Sequence, residues 1–232
     1  MNGPTISSEI VLDSASVEFD GRRALHDVTV RLDQRRIGVI GSNGSGKSTF
    51  ARLLNGLVVA TSGRVAVHGI DPARDGKKLR RDVGFVFSSP DAQIIMPTVA
   101  EDVAFSLRGS GLARDEVRER VSSVLAEFSL AEHADAPAHS LSGGQKQLLA
   151  LAAILVKRPA LIIADEPTAS LDASNTKRIA AHLLDREHQL VLVTHDMRLA
   201  ARCDVVLWFD DARLVAVGEP ATVIGDYERA HA

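Results

Sequence analysis

The stretch GSNGSGKS, Gly41 to Ser48, constrains this chain more than any other. It fits G-x-x-x-x-G-K-[ST] at every fixed position. It also lies where phosphate binding requires, directly after the short apolar run RIGVIG (Arg36–Gly41) and directly before the helical pattern FARLLNGL. Glycines let the backbone wrap an anion. The N–H groups at the start of the following helix offer donors and the positive end of a dipole. Gly41, Ser42, Asn43, Gly44, Ser45, Gly46, Lys47, Ser48 and Thr49 are therefore the nucleotide-binding candidates. Lys47 is placed to reach the β- and γ-phosphates, and the Ser48 hydroxyl is a hard oxygen ligand for Mg²⁺. The alternative reading, a glycine-rich turn, leaves the register of lysine and serine unexplained.

A phosphate loop needs a sheet that brings strand ends to one crevice, and the rest of the chain has the pattern for it. IVLDSASVEF (Ile10–Phe19) and ALHDVTVRL (Ala24–Leu32) show partial alternation and read as strands joined through an Asp20-Gly21 turn. SGRVAVHG (Ser62–Gly69) and DVGFVF (Asp82–Phe87) are further strands. From about residue 90 to 140 the character changes. Pro90, Pro97, Gly109, Gly111 and Pro137 punctuate helical segments, and ARDEVRERVSSVLAEF (Ala113–Phe128) carries Val117, Val121, Val124, Leu125 and Phe128 on one face. Strand ALIIAD, helix NTKRIAAHLLDRE, strand LVLVTH, helix MRLAARC and a closing hairpin VVLWFDDARLVAVG follow. Strand–helix alternation predicts an α/β fold with a mainly parallel sheet flanked by helices. The expected architecture is a phosphate-loop NTPase core with an N-terminal antiparallel β subdomain and an inserted helical subdomain. It forms one domain over residues 1–232, with the core at about 1–89 and 157–232 and the helical part at about 90–156.

Composition narrows the partners. A net charge of −3 argues against a nucleic-acid binder, which carries a basic face. One cysteine, Cys203, excludes an internal disulfide and a thiolate metal cluster. No secretory signal is visible in MNGPTISSEIVLD, and the longest apolar run, Leu148–Val156, is too short to span a bilayer. The expectation is a soluble chain that another chain must hold if it works at a membrane.

Two further strand ends carry chemistry. LIIADEP (Leu161–Pro167) delivers Asp165 and Glu166 to the crevice, Asp165 toward magnesium and Glu166 toward an attacking water. Alone, such a pair is as readily a surface feature; the phosphate loop favours the functional reading. LVTHD repeats the geometry and places His195 near the γ-phosphate, although a lone histidine is more often structural. SLSGGQKQLLALA (Ser140–Ala152) joins a small, polar, glycine-rich start to an apolar helix. It reads as a second anion-binding helix start in a chain that already has one.

The order GSNGSGKST, LSGGQKQ, LIIADEPTASLD, LVTHD resembles the ATPase subunit of an ABC transporter over nearly the whole chain. The resemblance explains the second helix start. In that family Ser142, Gly143, Gly144 and Gln145 would cap the γ-phosphate of ATP held by a second subunit, so two chains sandwich two ATP molecules with Mg²⁺. A homodimer is expected. The resemblance also implies that Phe19 stacks on adenine, the alternative being a core phenylalanine. It implies that Ser170–Asp172 crosses the dimer interface, and that Lys47, Glu166 and His195 act in hydrolysis. VGFVFSSPDAQIIMPTVAEDVAFSL (Val83–Leu107) resembles energy-coupling factor ATPases, which energise uptake of vitamins and of cobalt or nickel. Biotin is the preferred cargo, with cobalt, nickel or another vitamin open.

The implied partners are a transmembrane coupling subunit docked on the Phe87–Phe105 region and a substrate-binding membrane subunit. The implied place is the cytoplasmic face of the membrane, and no nucleic acid or regulatory domain is expected. The rival class is a soluble, non-transport ATPase of the same fold; no coiled coil, zinc module or second ATPase domain points to it. One position departs from the family. Where most ABC ATPases have a glutamine on the metal and water, this chain has Ser88, a candidate metal ligand with a shorter reach. Gln93 is not an obvious substitute, since it lies beyond Pro90.

Overall fold

Alternate residues of the central strands feed two different cores, which dictates a sheet covered on both faces. Ile37, Val39, Ile163, Val191 and Leu207 pack with one buried cluster, and Ile40, Ile162, Ala164, Leu192 and Val206 with another. Two faces alternating with period 2 are the geometry of a strand. The computed structural model describes residues 8–169 and 171–232.

Six strands build the main sheet: β3 (Arg36–Gly41), β5 (Val83–Val86), β6 (Leu161–Asp165), β7 (Gln189–Val193), β8 (Val205–Asp210) and β9 (Arg213–Gly218), in the order β5-β6-β7-β3-β8-β9. All neighbours are parallel except β8 and β9, which form an antiparallel hairpin. The parallel strands β5, β6 and β7 are buried along their whole length, which is why they read as apolar runs rather than alternating ones. β3 lies between β7 and β8, so the chain leaves it in one direction and returns on its other side. That is a topological switch point, where open α/β sheets place ligands.

The second sheet is antiparallel and three-stranded, with β1 (Ile10–Phe19) between β2 (Arg22–Leu32) and β4 (Ser62–Val67). It packs on one face of the main sheet with α1 (Lys47–Leu54), around Phe50, Leu53 and Leu54. The other face takes α5 (Gly143–Leu155), with α3 (Val99–Phe105) and α4 (Arg114–Glu127) packed on it, then α6 (Ala173–Leu184), and α7 (Met197–Ala200) and α8 (Pro220–Ala230) against β3 and β8. Among the described residues no helix is long and apolar enough to cross a membrane.

Two helices, α2 (Pro72–Asp82, PARDGKKLRRD) and α8, are absent from the elements expected from the sequence. α2 is charged almost throughout and buries only Pro72 and Leu79. Local chemistry starts it instead: the Asp71 carboxylate accepts from Ala73 N–H and Pro72 occupies the first turn. It also takes Asp82, which the strand reading had assigned to β5. α8 begins the same way, with Glu219 accepting from Thr222 N–H and Pro220 next in line. α6 starts two residues before the expected Asn175 because Asp172 caps it. α1 starts at Lys47 rather than at Phe50, so the phosphate loop runs straight into the helix.

Candidate nucleotide site

The loop after β3 is shaped by positions that only glycine fills. Gly41 has φ 147°, and a Cβ there would lie 2.1 Å from the Phe209 carbonyl oxygen of β8. Gly46 has φ 102°, and a Cβ there would lie 2.7 Å from the Ala24 carbonyl oxygen. Asn43 and Gly44 are exposed at the tip. Gly46 caps α1 with no side-chain bond, so no carboxylate or hydroxyl competes for the first N–H groups of the helix. Ser45 Oγ is buried and, among the described residues, has no hydrogen-bond partner.

Lys47 is only 6% exposed. Its ammonium donates to the Gly41 carbonyl at 2.8 Å and the Ser42 carbonyl at 2.7 Å. Burial pushes its pKa down, while the Glu166 and Asp165 carboxylates oppose the shift. The charge is thus held inside the loop's curve by weak acceptors that a phosphate outcompetes. The Ser48 hydroxyl donates to Asp165 Oδ1 at 2.9 Å, which brings two hard oxygens together at the end of β6.

Glu166 follows in a left-handed conformation, φ 52°, a strain of about 1–2 kcal/mol for a residue with a Cβ. Register explains what holds it. Asp165 pairs with Val193 across β6 and β7, and Glu166 N–H donates to the Val193 carbonyl at 3.0 Å. Its carboxylate then meets the turn after β7, 2.7 Å from His195 Nδ1 and 3.3 Å from His195 N. The His195 side chain is 69% exposed and open to a ligand.

The second helix start is built separately. Ser142 and Gln145 form a capping box: Gln145 N–H donates to Ser142 Oγ at 3.3 Å, and Ser142 N–H donates to Gln145 Oε1 at 2.9 Å. Gln145 Nε2 lies 3.0 Å from His133 Nε2, and Gly144 abuts Asn175 of α6. Lys146 donates to Asp91 at 2.7 Å. The phosphate loop rests on Ala24, Phe209 and Asp165, whereas this turn rests on His133 and Asn175. One chain therefore carries two helix starts on different supports, the first free of any side-chain cap and the second closed by its own capping box.

The family model described as "ABC transporter" matches residues 25–169. This chain belongs to the ABC transporter family. It is an ATP-binding, ATP-hydrolysing subunit of that type. The biotin transport ATP-binding protein BioM of Rhizobium etli is 45% identical over 218 residues, covering 94% of this chain and 97% of that one. The energy-coupling factor transporter ATP-binding protein EcfA1 of Symbiobacterium thermophilum is 42% identical, covering 88% of this chain and 74% of that one. Among solved structures, CbiO1 from Clostridium perfringens, part of the ABC transporter complex CbiONQ, superposes with a TM-score of 0.83 at 32% identity. That match covers 96% of this chain and 92% of the other.

Three further candidates, Phe19, Ser88 and Ser170, lie elsewhere on this ABC ATPase. Phe19 is 49% exposed at the tip of the β1–β2 hairpin, opposite Arg22 and near Ala24, which touches the phosphate loop. The ring is half exposed and is not a core residue. Ser88 is exposed two residues after the end of β5. Gln93 is turned the other way: its Oε1 accepts from Phe87 N–H at 3.3 Å and its Nε2 donates to the Ala150 carbonyl at 3.0 Å. Gln147 Nε2 donates to the Phe87 carbonyl at 3.3 Å, so the chain after β5 is pinned to α5 from both sides. Ser170 lies outside the described residues; Leu171 and Asp172 lead into α6.

Sequence reasoning missed His133, Asn175 and the Asp91–Lys146 pair. Each meets its partner through a fold-level contact, and the only local signal was the position of Asp91 and Lys146 inside otherwise informative motifs.

Proposed function

We propose that this chain is the ATPase of an energy-coupling factor type importer for a small solute, with biotin as the first candidate cargo. The observation that carries the reading is the pair of helix starts, one holding its own nucleotide and one able to cap a second subunit's. Resemblance to BioM over nearly the whole chain supports biotin. In the proposed site, the loop Gly41–Thr49 cradles the phosphates, Phe19 stacks on the adenine, and Lys47 leaves the Gly41 and Ser42 carbonyls for the γ-phosphate. The Ser48 and Asp165 oxygens fit Mg²⁺, with Ser88 contributing through water; bound magnesium supplies Lewis-acid stabilisation of the phosphate charge.

Glu166 orients a water and draws off its proton as the water oxygen attacks the γ-phosphorus. The bond to the β–γ bridging oxygen breaks, and ADP and phosphate leave. His195 holds Glu166 through Nδ1 and keeps Nε2 for the phosphate. Ser142–Gln145 of each subunit of a homodimer completes the other's site. A cleft of about 310 Å³ lined by Asp91, Ile94, Ile95, Met96 and Pro97, with Ile95 68% exposed, suits the transmembrane coupling subunit. A substrate-binding membrane subunit supplies cargo recognition, and the complex sits on the cytoplasmic side of the membrane.

The test is assembly with both membrane subunits in vesicles, with ATP supplied on the ATPase side. ATP-dependent uptake of labelled biotin, lost in Glu166→Gln, is expected. Uptake of cobalt or nickel ions instead would change the cargo and keep the class, whereas ATP hydrolysis indifferent to both membrane subunits would overturn the importer assignment.

A further inference from the structure

The turn that begins α5 contains two glycines with unlike surroundings. A Cβ at Gly143 would meet nothing within 4 Å. A Cβ at Gly144 would lie 2.4 Å from Asn175 Nδ2, 2.5 Å from Cγ and 2.8 Å from Oδ1. The carboxamide of Asn175 therefore occupies the space that a side chain at Gly144 would need.

That carboxamide is itself held. Asn175 Nδ2 donates to Asp172 Oδ2 at 2.8 Å, and Asn175 N–H donates to Asp172 Oδ1 at 2.8 Å. Both carboxylate oxygens of Asp172 are engaged by one residue, and these bonds hold its carboxyl below the usual range. Asp172 is also the cap of α6. The starts of α5 and α6 thus form one block, linked by the Asn175 side chain rather than by backbone hydrogen bonds.

We propose that Asn175 is a positioning residue: it fixes the Ser142–Gln145 turn against the Leu171–Asp172 segment, so that the two approach a partner subunit's nucleotide as a unit. The inference rests on the reading of Ser142–Gln145 as the cap of a second subunit's ATP. Only an uncharged planar side chain of this length does the work. Alanine leaves a gap under Gly144 and releases Asp172. Aspartate sets a second carboxylate beside Asp172. Misplacement of a phosphate cap by about 1 Å is enough to cost a large factor in a geometry-dependent contact.

The test uses the Glu166→Gln protein, in which ATP persists, and measures ATP-driven dimerisation by sedimentation. ATP affinity of the monomer and thermal midpoint are read alongside. Asn175→Ala should weaken dimerisation about tenfold or more, with ATP affinity of the monomer within about twofold. A purely structural role would move the thermal midpoint and leave the dimer equilibrium of the folded protein unchanged.

Gly144→Ala supplies the second measurement, since its methyl displaces the carboxamide. It should weaken the dimer in the Asn175 background and cost much less beside Asn175→Ala, where the space is open. Equal costs in both backgrounds would refute the coupling, as would an Asn175→Ala dimer as tight as its parent. If the Glu166→Gln parent stays monomeric with ATP, the two-subunit reading fails and takes this inference with it; a parent that dimerises isolates the failure to Asn175.

Discussion

Glu166 and Ser88 pull the site in opposite directions. Glu166 is strained into a left-handed conformation, yet is held by a backbone bond and by His195. Its carboxylate is oriented by these contacts, which suits the base role proposed for it. Replacing it with glutamine removes the proton acceptor and keeps the shape. Hydrolysis should fall by about 10²-fold or more with ATP affinity little changed, as phosphate release and nucleotide titration would record. Ser88 has no such support among the described residues and is exposed after β5. Its hydroxyl is about two bonds shorter than a glutamine amide, and Gln93 cannot replace it while bound to Phe87 and Ala150. Ser88→Gln should raise hydrolysis by the isolated chain at low Mg²⁺ and raise it less in the assembled complex. Equal rates for wild type and variant at low Mg²⁺ would show that serine suffices.

At the scale of elements, α5 joins two functions. Its start is the capping box of Ser142 and Gln145, and its body holds the chain after β5 through Ala150 and Gln147. Ser142→Arg removes a cap worth about 1 kcal/mol and sets a cation against the positive end of the helix dipole. ATP-driven dimerisation should be lost in light scattering, while nucleotide affinity of the monomer stays within about twofold. Lost affinity would mean that the turn serves its own chain's nucleotide. Gln93→Leu breaks both ends of the clamp and leaves the Phe87 N–H and Ala150 carbonyl without it. Urea unfolding should show a loss of about 1–3 kcal/mol, with the slope unchanged.

At the scale of the whole molecule, burial moves the titration of one histidine and of the cysteine. The imidazole of His188, just before β7, is pushed down to about 4, first by burial and then by Arg186. Its Nε2 is buried without a partner among the described residues. The unfolded chain binds that proton near pH 6.5, whereas the folded chain refuses it until about 4. The contribution to stability is complete above pH 6.5 and is lost as pH falls from there toward 4, by at most about 3 kcal/mol. His188→Leu should flatten that part of a thermal-melt pH profile, and an unchanged slope would assign the loss to other groups. Cys203 follows the same logic. Burial first, with Asp204 adding, pushes its thiol up to about 12. Its reaction with an aromatic disulfide at pH 8 should therefore be far slower in the native protein than in urea.

The sequence by itself determined whatever is decided within a few residues of a position. The phosphate loop was legible because glycine spacing, a lysine, a serine and the flanking periods all lie within Arg36–Leu57. The parallel sheet was legible as strand–helix alternation, and the carboxylates of β6 as the end of an apolar run. The start of α2 was written in cap residues rather than in an apolar stripe, so a search for amphipathic faces passes over it. Only the tertiary structure decided that β6 lies beside β7, which brings Glu166 against His195 across 29 residues of chain. It alone set Asn175 under Gly144, Gln93 on Ala150, and the Nε2 of His188 out of reach of water. The physical reason is that local sequence encodes backbone freedom and burial period. Which strand neighbours which, and which side chains then meet, depends on crossovers and packing summed over the whole chain.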